Sequence, residues 1–140
     1  MVNEQIVITD VGPRDGLQNQ PIILDVGQRL QLIDAIADAG VSSIEVGSFV
    51  NPKWVPQMSG SEEVFTQLEK HKGVTYAALT PNLQGFERAV AVGAAEVAVF
   101  SAASESFSQK NKHPQECSSH PKTQHIRRPQ CYRHFAQTYQ

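Results

Sequence analysis

The sequence predicts an α/β protein over residues 1–111, with parallel strands alternating with helices, followed by a tail of another kind. Three observations carry that expectation. Short β-branched runs alternate with stretches whose apolar residues recur at helical spacing. Two stretches echo each other, GVSSIEVGS at residues 40–48 and GAAEVAVFS at residues 93–101, with Gly, Ile/Val, Val and Ser at the same offsets, each running from a helix stop into a buried strand. Composition then changes abruptly after residue 111.

Taken in order, Ile6, Val7 and Ile8 form the run that predicts the first strand, and residues 10–16 (DVGPRDG) predict the loop behind it. Asp25 predicts a helix N-cap, with Gln28 three residues on completing a capping box. Val26, Leu30, Ile33, Ile36 and Ala37 then share one face, and Gly40 stands where a left-handed stop is needed. Ile44, Glu45 and Val46 predict the second strand, followed by a long loop with Pro52, Trp54, Pro56 and Met58. There, Trp54 and Met58 are expected to pack the loop rather than line a pocket.

Residues 62–68 predict the second helix and residues 74–79 the third strand. His71, between Lys70 and Lys72, is expected on a solvated helix end. Leu83, Phe86 and Val90 predict the apolar face of a third helix that Gly93 ends, and residues 97–100 the fourth strand. Such alternation favours parallel pairing through right-handed crossovers. A barrel and a doubly wound sheet both satisfy it, although the first turn lacks the G-x-G-x-x-G phrase of dinucleotide binders.

The formal net charge of −2 gives no electrostatic reason for a nucleic acid or an anionic membrane as partner. No apolar run nears the roughly 18–20 residues of a membrane span. The amino terminus reads MVNE, unlike a secretory signal or an Arg-rich transit peptide, so a cytoplasmic location is expected.

The average conceals a break. Residues 1–111 carry seven Lys or Arg against thirteen Asp or Glu; residues 112–140 carry five basic residues and one acid. That tail holds four of the five His and both Cys, and it has no Gly, Leu or Val. Residues 112–140 are therefore expected to form a separate basic tail, irregular or disordered, that reads like translation in a shifted frame. Of its His residues only His120 and His125 keep a zinc-like spacing, so no zinc site is expected, and Cys117 and Cys131 are expected to stay reduced.

In parallel α/β folds, functional groups gather behind the carboxyl ends of the strands. That rule selects Arg14 and Asp15 after the first strand, Glu45 and Ser48 at the second, Thr80 and Asn82 at the third, and Ser101 and Ser104 at the fourth. Arg–Asp neighbours in loops commonly form solvated pairs, and Asp-Gly is often only a turn. Glu45 is different, because a carboxylate between Ile44 and Val46 in a buried strand is costly unless something pairs with it. A carboxylate at such a mouth suits a hard divalent cation, and a neighbouring guanidinium can stabilise charge developing on a carbonyl oxygen.

These residues fall in four ordered strings: VGPRDGLQN at residues 11–19, IEVGSFVNPKWVPQM at 44–58, LTPNL at 79–83 with Gly85 and Phe86, and AASESFSQKN at 102–111. Together they resemble the 3-hydroxy-3-methylglutaryl-CoA lyase family. Related Claisen-type synthases share the Arg-Asp-Gly core without the Gly-Pro before it and the Leu-Gln-Asn after it.

The resemblance implies a partial (β/α)8 TIM barrel of about four βα units, from a homo-oligomeric family that uses Mg²⁺ or Mn²⁺ to split an acyl-CoA into acetyl-CoA and acetoacetate. By matching position it makes Asp15 a metal ligand and Arg14 and Glu45 catalytic. Arg14 would act on the charge of the departing acetyl-CoA portion, while Gln18, Ser48 and Asn111 would face the substrate. The family's His-x-His metal pair does not occur in these 140 residues. Little activity is accordingly expected of this chain alone, and the competing expectation is a non-catalytic half-barrel that acts by association with another chain.

Overall fold

The computed structural model describes residues 6–99 and a further strand at residues 124–127. Five strands form one sheet in chain order: β1 (Thr9–Asp10), β2 (Ser43–Ser48), β3 (Thr75–Thr80), β4 (Glu96–Val99) and β5 (Gln124–Arg127). The first four are mutually parallel, joined through helices α1 (Val26–Asp38), α2 (Ser61–Gln67) and α3 (Leu83–Ala91). A doubly wound sheet reverses its strand order at a switch point. Here the order runs 1-2-3-4 without reversal, as in a segment of a (β/α) barrel.

Local chemistry explains each element. Asp25 caps α1 by accepting the Gln28 amide at 2.8 Å, while Gln28 Oε1 accepts the Asp25 amide at 3.0 Å, the reciprocal box that the sequence predicts. Gly40 and Gly93 take φ of 90° and 80°, which glycine adopts without steric cost, and they end α1 and α3. The core lies between the helices and one face of the sheet. It joins Ile33 and Ala37 of α1, Val64 and Phe65 of α2, and Phe86 and Ala89 of α3 to Ile44, Val46, Tyr76, Ala78 and Val97 of the strands. Val26, Leu30 and Ile36 pack at its margin.

Four expectations change. Ile6–Ile8 are not strand but exposed chain, and β1 is Thr9–Asp10. The reason is register: Thr9 pairs with Ser43, so residues 6–8 run beside the Gly40 turn, where no extended partner exists. Trp54 is 67% exposed, whereas Met58 is buried as expected. His71 is half-buried rather than solvated, lying 3.6 Å from Asp34 and 3.9 Å from Asp38 of α1. The tail, read as irregular, supplies β5, which pairs antiparallel with β4 and satisfies an edge that would otherwise offer unpaired backbone groups. The tail's other residues, including Cys117 and Cys131, lie outside the described residues, as do Ser101, Ser104 and Asn111.

Candidate active site at the carboxyl ends of β1 and β2

Behind β1 the chain does not loop freely. Gly12–Gly16 forms a single wide turn in which the amides of Arg14, Asp15 and Gly16 all reach the Val11 carbonyl, at 3.2, 2.7 and 3.3 Å. Pro13 is buried, and the Gly12 amide donates to Asp10 Oδ1 at 2.8 Å. The turn therefore presents Arg14 and Asp15 from a fixed backbone. Arg14 Nε donates to Glu45 Oε1, and its Nη1 donates to Asp15 Oδ1 at 2.8 Å. One guanidinium thus bridges two carboxylates of opposite exposure, Glu45 at 1% and Asp15 at 51%.

The contact pairs the buried Glu45 carboxylate with Arg14 and at the same time fixes the guanidinium. Arg14 itself retains 15% exposure, so it remains presented to a ligand. Ser48 is 1% exposed, with its hydroxyl 3.4 Å from the Leu79 carbonyl. Gln18 is half-buried immediately after the turn, and among the described residues its side chain makes no hydrogen bond.

At β3 the residues that the strand-end rule selects make contacts that build the fold. Asn82 is the N-cap of α3, accepting the Gly85 amide at 2.9 Å. Thr80 is buried and donates to the Ala98 carbonyl at 3.4 Å.

One buried polar residue was missed. Arg29 is 1% exposed, and desolvation holds its pKa below the ordinary arginine value. Its sequence signal was present: Arg29 stands four residues before Ile33 and eight before Ala37, on the apolar stripe of α1.

A hard divalent cation takes about six oxygen ligands. Asp15 is a suitable donor, half-exposed at the strand ends. Among the described residues, however, no group of three His, Cys, Asp or Glu side chains converges. These residues therefore do not form a complete metal site by themselves.

A row of parallel strands with a carboxylate–guanidinium–carboxylate cluster at their carboxyl ends has the form of a segment of a barrel-type α/β protein with charged groups at its mouth. The family follows from comparison with known proteins. The HMGL-like family model matches residues 5–128, and the chain belongs to that family.

Over 108 residues, 77% of this chain, it is 56% identical to the 3-hydroxy-3-isohexenylglutaryl-CoA/hydroxy-methylglutaryl-CoA lyase of Pseudomonas aeruginosa. It is 53% identical to the mitochondrial hydroxymethylglutaryl-CoA lyase of Homo sapiens, again over 77% of this chain. It spans 36% and 33% of those two proteins, about a third of their length. The crystal structure of the Pseudomonas aeruginosa hydroxymethylglutaryl-CoA lyase matches with a TM-score of 0.70 at 57% identity, covering 76% of this chain and 36% of that one. An HMG-CoA lyase from Acinetobacter baumannii, in complex with coenzyme A and 3-methylmalate, matches with a TM-score of 0.71 at 41% identity, covering 75% and 34%.

Proposed function

We propose that this chain carries part of the active site of a lyase that cleaves 3-hydroxy-3-methylglutaryl-CoA, or a close 3-hydroxy-3-alkyl homologue, into acetyl-CoA and a 3-keto acid. The observation that carries the reading is Arg14 held between Glu45 and Asp15 at the strand ends. In such a cleavage the tertiary hydroxyl loses its proton and the carbon–carbon bond breaks. The electron pair passes to the thioester side, which takes up a proton.

Negative charge therefore develops on the thioester carbonyl oxygen. The Arg14 guanidinium, already oriented by Glu45, stabilises it without reorganisation. Ser48 and Gln18 line the approach, and Asn111 is proposed to join them. Asp15 would hold Mg²⁺ or Mn²⁺ as one of several ligands, and when bound the ion would supply acidification of the hydroxyl. The proposed partner is an acyl-CoA, in keeping with the coenzyme A in the Acinetobacter relative. A cytoplasmic location is proposed, although the relatives include both mitochondrial and cytoplasmic lyases.

The test is a segment swap: residues 1–111 replace their counterpart in the Pseudomonas aeruginosa lyase, and acetyl-CoA release is measured with the methyl and isohexenyl thioesters. Metal-dependent turnover that falls by roughly 10²-fold or more in Asp15→Ala supports the reading. A folded hybrid that releases none overturns it.

A second reading is favoured by one feature of the sheet. Among the described residues the outer edge of β1 has no partner strand, and Ile6, Val7 and Ile8 beside it are 88%, 57% and 75% exposed. A half-barrel that works by association would use this edge. Light scattering showing a dispersed monomer of the 140-residue chain at all concentrations would remove that reading.

A further inference from the structure

We propose that Arg29 is a positioning residue for Ser48, acting from outside the site through a bulge in β2. The inference rests on the lyase reading only for the role given to Ser48; the bulge stands on geometry.

Side chains alternate along a strand, so residues 45 and 47 would ordinarily share a face and residue 48 would point away. In β2 they do not. Glu45 pairs with Ala77, Gly47 with Ala78 and Ser48 with Leu79, with a register shift between Glu45 and Gly47. Paired residues on parallel neighbours point the same way. Val46 and Gly47 therefore both face the helices opposite the single Ala78, while Ser48 joins Glu45 on the other face. The extra residue re-aims one side chain, which is what bulges do beside functional sites.

Something must hold the surplus backbone, and Arg29 reaches it from α1. Its Nη2 donates to the Val46 carbonyl at 3.4 Å and to Ser61 Oγ at 3.3 Å, and its Nη1 donates to the Ser59 carbonyl at 2.9 Å. Ser61 in turn donates to the Met58 carbonyl at 2.7 Å. The guanidinium thus ties the bulge to the turn that opens α2. Gly47 completes the device: a Cβ there would lie 2.8 Å from Ser61 Oγ and 2.9 Å from Arg29 Nη2, so the cluster occupies the space a side chain would need.

Among the described residues no carboxylate pairs with Arg29, and its Nε has no partner. An apolar side chain would fill that place at lower desolvation cost. What the arginine adds is donors aimed at the bulge.

The experiment is nuclear magnetic resonance on the labelled 140-residue chain, reading cross-strand contacts between β2 and β3 without substrate or metal. Arg29→Met is expected to lose the Gly47–Ala78 and Ser48–Leu79 contacts while keeping Glu45–Ala77, and Arg29→Lys to restore them in part. A folded Arg29→Met chain that melts earlier with all three contacts intact overturns the proposal and leaves Arg29 a packing residue. If Arg29→Met does not fold, Ser61→Ala decides: displaced Gly47 and Ser48 signals support the proposal, and unchanged ones overturn it. Because this readout involves no turnover, its failure is distinguishable from failure of the lyase reading in the segment swap.

Discussion

Strands β2 and β4 are entered in the same way: a glycine at positive φ, Gly40 or Gly93, then two residues, then a strand paired parallel to β3. Ile44 and Val97 occupy the same offset and both enter the core. One residue later the two diverge. β2 places Glu45 there, 1% exposed and held by Arg14; β4 places Ala98, wholly buried. A methyl therefore suffices for the fold at this offset. The carboxylate in β2 is retained against a desolvation cost, and its evident product is an oriented guanidinium. Bulge and buried carboxylate both set β2 apart from β4.

Exchanging the two strands' residues breaks the comparison most sharply. Ala98→Glu introduces a carboxylate for which no side-chain cation is placed among the described residues, and should lower stability by about 3–5 kcal/mol. A shift in urea midpoint equivalent to less than about 1 kcal/mol would mean that any strand here accommodates an acid.

Next in size is Arg14→Met, which removes the guanidinium that pairs with Glu45 and should cost about 3 kcal/mol. Adding Glu45→Ala makes β2 resemble β4, and the double variant should recover at least half of that loss. If the double variant is less stable than Arg14→Met, the pair is a stability element rather than a site maintained at a cost.

The smallest effect is at β3. Asn82→Ala removes the α3 cap and should cost about 1 kcal/mol, with no effect on turnover in the segment-swapped lyase. Lost turnover at unchanged stability would give Asn82 a role in the site beyond its cap.

Much of this was legible in the sequence, for identifiable reasons. The Asp25–Gln28 box, the Gly40 and Gly93 stops and the alternation of strands with helices are local signals, and local hydrogen bonding realises them. Arg14, Asp15 and Glu45 could be singled out because strand ends, and an acid within a buried apolar run, are readable along the chain. Their mutual contact was not readable, since it joins residues 31 apart in sequence through the turn geometry of Gly12–Gly16. Ile6–Ile8 looked like a strand because β-branched residues say nothing of register. Arg29 was hidden for the opposite reason: a basic residue on an apolar stripe is easily discounted, and only the β2 bulge gives its donors a purpose.

The most direct test of the central claim, that Arg14 and Glu45 act as one unit, is a double-mutant cycle on kcat/KM in the segment-swapped lyase. Arg14→Gln and Glu45→Gln should each lose roughly 10²-fold or more, and the double variant should lose little beyond the worse single. Losses that multiply would show two independent groups and contradict that claim.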